Sequence, residues 1–158
     1  MSRKKIGYTT GTFDIPHEGH FNFLKNCKIY CDLLIVGLTS DKLAIKQKRE
    51  TSFSYSIRKT VLDNCKWVDS VIEHKGLTKS EDYKKLKFDV LLIGDDYYKT
   101  SEYSNFSLLY PEILVIYIPR TPNISTSCFT ENLCMRVIEN TKISNLSVNG
   151  EILEIPHK

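Results

Sequence analysis

The stretch TTGTFDIPHEGH, Thr9 to His20, decides how this chain of 158 residues is read. The residues leading into it, Lys5 to Thr10, combine Ile6, Tyr8 and two threonines, a composition that suits a short buried strand, and Gly11 ends that strand. Beyond Pro16, the residues Phe21, Phe23, Leu24, Cys27 and Ile29 recur at helical spacing, with Lys25 and Lys28 between them, as far as Cys31. His17 and His20 therefore fall in the first turn of a helix that follows a strand and a tight turn.

Spacing i, i+3 puts the two imidazoles on one face of that turn, and Gly19 between them leaves the backbone open to close approach. A helix N-terminus already presents unpaired N–H groups and positive potential to an anion. Two side chains that titrate near neutrality add donors without a fixed repulsive charge, an arrangement that suits a polyphosphate whose charge grows during reaction. A lone HxxH pair would equally suit two metal ligands or a loop cap. GTFD followed at once by HEGH on a strand, turn and helix is far more specific.

Outward from this motif, Asp32 to Leu38 is a continuous apolar run typical of a strand covered on both faces, and it completes a βαβ unit. The segment from Thr39 onward reads as a charged loop in which Lys46, Lys48 and Arg49 crowd together, just past a strand's carboxyl end, where a ligand crevice is expected. Ser54 to Cys65 has helical spacing with Ser54 as N-cap, Ile57, Val61, Leu62 and Cys65 on the core stripe, and Arg58 and Lys59 facing solvent. Trp67 to Glu73 is a third strand, Lys79 to Lys87 a polar helix, Phe88 to Gly94 a fourth strand, Ser101 to Tyr110 a helix and Ile113 to Ile118 a fifth strand. Alternation of this kind predicts an α/β fold: a Rossmann-like, doubly wound, parallel five-stranded sheet with helices on both faces. Asp95 and Asp96 end the fourth strand, either as turn formers or as a site edge.

After the fifth strand, PRTPNISTS, Pro119 to Ser127, leads into a helix expected over about Cys128 to Asn140. Ser125 and Thr126 offer hydroxyls at a helix N-terminus, and Arg120 offers a planar fork suited to phosphate oxygens. Asn149-Gly150 signals a β-hairpin with Leu146, Val148, Leu153 and Ile155 on one face. The expected organisation is a single domain over residues 1–142 with residues 143–158 as a hairpin extension.

Composition bounds the reading. A hydrophobic content of 41% suits one domain with its own core, and a net charge of +3 is too small to indicate a nucleic-acid surface. The five cysteines show no CxxC pair, so neither a disulfide framework nor a zinc site is indicated. No run approaches the roughly 20 apolar residues of a membrane span, so a cytoplasmic protein without membrane insertion is expected.

GTFDIPHEGH and RTPNIST together resemble the two signatures GTFDxxHxGH and RTxGIST of the cytidylyltransferase family within the HxGH nucleotidyltransferases, over roughly Ile6 to Glu139. Asn123 stands where the family has glycine; asparagine tolerates positive φ, so the turn is kept at modest cost. The resemblance implies transfer of a cytidylyl group from CTP to a small phosphorylated alcohol, glycerol 3-phosphate foremost, with release of pyrophosphate. Phosphocholine stays open, because Trp67, Tyr97 and Tyr98 could cage a quaternary ammonium. It further implies His17, His20, Arg120, Ser125 and Thr126 as catalytic residues, and Thr12, Phe13, Gly19, Lys48, Asp95, Thr121 and Ile124 as nucleotide-binding residues. Lys46, Lys66 and Lys79 fall at or near acceptor-binding positions, with Arg49 able to take the place of Lys46 or Lys48. Lys79, on a polar helix, reads as solvated on its own residues. Asp14 reads as an acceptor of backbone N–H bonds rather than a metal ligand. Mg²⁺ is expected to accompany the triphosphate without a protein metal site, and a homodimer is expected. An adenylyltransferase and a catalytically silent nucleotide-binding regulator are the alternatives.

Overall fold

β-Branched and aromatic residues run extended wherever they cluster between turn formers, giving β1 (Ile6–Gly11), β2 (Leu33–Thr39), β3 (Ser70–His74), β4 (Val90–Gly94) and β5 (Leu114–Ile118). The computed structural model describes residues 3–76, 78–98 and 100–122. All five strands pair in parallel in the order β3-β2-β1-β4-β5. Between them lie α1 (Glu18–Lys28), α2 (Asp41–Lys46), α3 (Tyr55–Asp63), α4 (Lys79–Leu86), a 3-10 turn at Asp95–Tyr97, and α5 (Ser101–Leu109). The expected Rossmann-like sheet is therefore present. The hairpin of residues 143–158 lies outside the described residues.

Alternate residues of each strand feed two cores. Leu34, Val36, Leu38, Val90, Leu92 and Ile118 pack with Leu24 and Cys27 of α1 and Leu62 of α3. Tyr8, Leu91 and Ile93 pack on the other face with Phe88 and with Tyr103 and Phe106 of α5, while Tyr83 and Leu86 of α4 lie against them. Strands buried on both faces are the reason for the near-continuous apolar runs.

Local structure departs from the sequence expectation in three places. The segment after β2 is not all loop: Ser40 accepts from Leu43 N at 3.2 Å and caps the short helix α2. β3 begins at Ser70 because Val68 N donates to Cys65 O, closing a turn across Trp67. In α3 the buried stripe runs through Arg58 and Leu62, while Ile57 is 49% exposed. Ser54 holds the N-cap position of that helix, but its hydroxyl bonds Ser56 Oγ instead of the helix backbone.

From β1 the chain proceeds to β2 on one side and later returns to β4 on the other. The carboxyl ends of β1 and β4 therefore flank the point where strand order reverses, the place where open α/β sheets bind ligands.

Candidate active site

Residues 12–17 connect β1 to α1 through a backbone that is costly to hold. Phe13 (φ 46) and Ile15 (φ 42) are both left-handed, and for a β-branched residue such as Ile15 this costs about 1–3 kcal/mol. Gly11 makes room for the turn, since a Cβ there would lie 2.7 Å from the Phe13 ring. Two anchors hold the loop in place. The Asp14 carboxylate accepts from Ser52 N (2.8 Å) and Phe53 N (3.1 Å), the backbone-acceptor role expected for it, although its donors come from the segment before α3.

The second anchor is Arg58, which the helix pattern had placed toward solvent and which is 0% exposed. Its Nη1 donates to Thr12 O (2.6 Å), its Nη2 to Thr39 O (3.0 Å) and Asp41 Oδ1 (2.7 Å), and its Nε to Phe53 O (3.0 Å). One planar fork thus ties together the ends of β1 and β2, the start of α2 and the entry to α3. Asp41 also accepts from Tyr55 N, and this bond followed by the guanidinium holds its carboxyl below the usual range against the opposing effect of burial.

His17 occupies the N-cap of α1 rather than its first turn, with its Nδ1 accepting from Gly19 N at 3.1 Å. That acceptance assigns the neutral proton to Nε2. The His20 ring stacks on it at a centroid distance of 3.9 Å, and Phe13 tilts against His20 at 5.3 Å. Burial lowers the His17 pKa. His20 is pushed down to about 4 by burial first, then by His17 and by Arg120, with Asp14 acting in the opposite direction. Both imidazoles are therefore neutral donors near pH 7. His20 Nδ1 and Thr12 Oγ1 are buried with no hydrogen-bond partner among the described residues, which leaves two polar atoms at the end of β1 open to a bound group.

Arg120, just past β5, pairs with Asp96 Oδ2 at 3.2 Å at the adjacent end of β4, and its charge contributes to the lowered His20 pKa. Asp95 is exposed in the 3-10 turn at the same end, and Thr121 follows Arg120. Ile124, Ser125 and Thr126, with Asn123, lie outside the described residues.

The basic cluster is the C-terminus of α2. Lys48 N donates to Ile45 O and Arg49 N to Ala44 O while Lys48 adopts φ 56, so the helix closes in a Schellman turn. This turn sorts the three side chains. Arg49 lines a cavity of about 160 Å³ at the ends of β1, β2 and β4 and reaches Tyr97 Oη at 3.4 Å, whereas Lys46 lines a separate groove with Asp41, Tyr55 and Glu73. Lys48 is exposed and lines neither.

Lys79 also lines the cavity and is 8% exposed, which corrects the reading of it as a solvated lysine. Lys66 does not join the site. It precedes β3, at the amino ends of the strands, with its ammonium over the Trp67 ring at 4.9 Å. Sequence reading missed Arg58, Glu102, His74 and Tyr103. For Arg58 a signal existed in the spacing of Tyr55, Arg58, Leu62 and Cys65.

Fold and crevice together define a nucleotidyltransferase: a parallel α/β sheet with paired neutral histidines at a helix N-terminus over its switch point. The sequence profile of the cytidylyltransferase-like family matches residues 8–144, and the chain belongs to that family. Glycerol-3-phosphate cytidylyltransferase of Bacillus subtilis is 34% identical over 131 residues, 82% of this chain and 97% of the relative. The protein of the same name from Bacillus spizizenii is 38% identical over 125 residues, 78% of this chain and 92% of the relative. A lipopolysaccharide core biosynthesis protein of Thermoplasma volcanium superposes with a TM-score of 0.64 at 24% identity, over 75% of this chain and 98% of that one, and so shares the fold.

Proposed function

We propose that this protein transfers the cytidylyl group of CTP to a small phosphorylated alcohol, glycerol 3-phosphate foremost, and releases pyrophosphate. The observation that carries the reading is the stacked pair His17, buried, and His20, half-buried, both neutral over the N-terminus of α1, in a chain that aligns over 82% and 78% of its length with two glycerol-3-phosphate cytidylyltransferases.

An oxygen of the acceptor phosphate attacks the α-phosphorus of CTP in line. The bond from that phosphorus to the oxygen bridging the β-phosphorus breaks, and its electron pair leaves on pyrophosphate. No covalent enzyme intermediate is needed, and the protein positions the reactants and neutralises charge. His17 and His20 donate to the α and β phosphates as negative charge accumulates. Arg120 exchanges Asp96 for the β and γ phosphates, where the family resemblance also puts Ser125 and Thr126. Thr12, Phe13, Gly19, Asp95, Thr121 and Ile124 frame the nucleoside and its phosphates, and the cavity with Arg49 and Lys79 takes the acceptor. Mg²⁺ comes with the triphosphate and spreads its charge. Phosphate oxygens and water would hold the ion. We further propose a homodimer. Among the described residues no helix is long and apolar enough to cross a membrane.

The test pairs thermal shift with each of the four nucleoside triphosphates and a pyrophosphate-release assay with CTP over a panel of phosphorylated alcohols. Selective stabilisation by CTP and acceptor-dependent release support the reading. A preference for ATP would make the protein an adenylyltransferase, and CTP binding without release on any acceptor would make it a regulator.

A further inference from the structure

Four titratable side chains meet beside the first turn of α4, and the mechanism above uses only one of them. Tyr8 of β1, His74 at the end of β3, and Lys79 and Asp82 of α4 are all buried. Asp82 Oδ2 is the hub: Tyr8 Oη donates to it at 2.9 Å, and His74 Nδ1 lies 2.8 Å from the same oxygen. So short a separation requires the His74 proton on Nδ1, because two lone pairs would repel. Burial raises the Tyr8 pKa and Asp82 raises it further, so the hydroxyl stays protonated and is a permanent donor. Burial works against the Asp82 carboxylate, but His74, Tyr8 and Lys79 more than offset it and hold its carboxyl below the usual range.

The first turn of α4 depends on these contacts because it has no cap of its own. Thr78 occupies the N-cap position and makes no side-chain hydrogen bond to the turn. Lys79 and Asp82 stand at i and i+3 and share a face, so a bond that fixes Asp82 also fixes where the Lys79 backbone stands. Gly37 of β2 leaves the space for it, since a Cβ there would sit 2.2 Å from Tyr8 Oη. A glycine weakens a strand interior, and this one marks the close approach of the tyrosine. Asp82 also supports the charge on Lys79: burial lowers the pKa of that lysine, and Glu102 and Asp82 oppose the shift.

Lys79 and His74 line the cavity at the strand ends, whereas Tyr8 and Asp82 do not. We infer that Tyr8 and Asp82 are positioning residues for the transfer reaction, which together with His74 hold the first turn of α4, and Lys79 with it, at the cavity wall. A fully buried tyrosine of β1 thus governs how well the acceptor is used without touching it. The inference rests on the cytidylyl-transfer reading above and favours no particular acceptor.

The experiment measures pyrophosphate release from CTP with whichever phosphorylated alcohol the wild type uses best, for wild type, Tyr8→Phe, Lys79→Gln and the double variant. Thermal shift with CTP checks that each variant folds and binds the nucleotide. Tyr8→Phe removes one oxygen and keeps the ring that stacks on Phe88 at 4.9 Å, so the core face is retained. It is expected to raise KM for the acceptor about fivefold, the scale of one hydrogen bond, while kcat and KM for CTP stay within about twofold. Lys79→Gln is expected to raise the acceptor KM about 30-fold, the scale of a hydrogen bond to a charged group. In that background Tyr8→Phe should add less than about twofold, because its effect passes through the lysine. A merely structural tyrosine would change kcat and both KM values together, or repeat its factor when Lys79 is gone, and either result would overturn the inference. An unchanged acceptor KM in a folded Tyr8→Phe or Lys79→Gln would overturn it as well, with cytidylyl transfer intact. Absence of release by the wild type with every phosphorylated alcohol, with CTP still bound, would remove both.

Discussion

Replacing Arg58 by Met tests whether one buried guanidinium organises the crevice. The side chain is fully buried and holds three backbone carbonyls and one carboxylate at 2.6 to 3.0 Å. Methionine approximates its length but donates nothing. Thr39 O, whose bond is buried, loses its partner outright, at about 1–3 kcal/mol for an unsatisfied acceptor, while Thr12 O and Phe53 O regain some water. Asp41 keeps its bond from Tyr55 N and is partly solvated, so its share is smaller. The expected sum is about 3–5 kcal/mol, one buried acceptor left unsatisfied plus smaller losses at three partly solvated ones, and in a chain of this size that lowers Tm by roughly 8–15 °C. Urea denaturation supplies the free energy and differential scanning fluorimetry the midpoint. Arg58→Lys should recover only a fraction, because a point charge cannot reach four acceptors that are arranged for a planar fork. A loss below about 1 kcal/mol would refute the reasoning, since it would mean the side chain is solvated like an ordinary surface arginine.

Three further outcomes are expected. His20→Ala should lower kcat about 100-fold at saturating CTP while changing the CTP dissociation constant much less, because a donor to developing charge acts mainly in the transition state; an unchanged kcat in rapid-quench turnover would remove His20 from the mechanism. The unfolded chain binds a proton at His20 near the ordinary value of 6.5, whereas the native chain binds it only near 4, so stability is full above about pH 6.5 and falls as pH drops toward 4. His20→Asn should flatten that slope, by at most about 3 kcal/mol between pH 7 and 4 in urea titrations, and parallel slopes for variant and wild type would contradict the burial of His20. Arg49→Ala should raise the acceptor KM about tenfold while Lys46→Ala stays within about twofold, and the reverse order in steady-state kinetics would show that the Schellman turn at the end of α2 re-forms on binding.

Much of the fold could be read from periodicity. Strands covered on both faces announce themselves as apolar runs, and the motif at Thr9 to His20 marks the switch point through turn chemistry that few other sequences share. The misreadings have a common origin. Ile57 and Val61 look like core beside Arg58, and Lys79 looks like solvent, because hydropathy assigns faces by side-chain type alone. Phase, however, is set by what the helix packs against. The spacing of Arg58, Leu62 and Cys65 is as regular as that of Ile57 and Val61, and Lys79 shares its face with Asp82, Tyr83 and Leu86. Only tertiary structure decides between the two phases. The basic cluster was ambiguous for a related reason, since a left-handed Lys48 cannot be foreseen from sequence, yet it sends Arg49 and Lys46 to different sides.

The two buried cations answer a property of the parallel sheet itself. Where parallel strands end, their last carbonyls have no further strand to accept from, and connecting loops must satisfy them without filling the crevice a ligand needs. Arg58 does this on the α3 side, reaching Thr12 O beyond β1 and Thr39 O at the end of β2, with four of its five N–H donors engaged and the side chain fully buried. Lys79 is buried on the α4 side without such bonds, and its nearest carboxylate stays 3.9 Å away. Burial alone therefore does not separate structural from functional charge in this crevice. Hydrogen bonding does distinguish them: Arg58 holds four acceptors that shape the crevice, whereas the Lys79 ammonium stands beyond hydrogen-bond distance of Glu102.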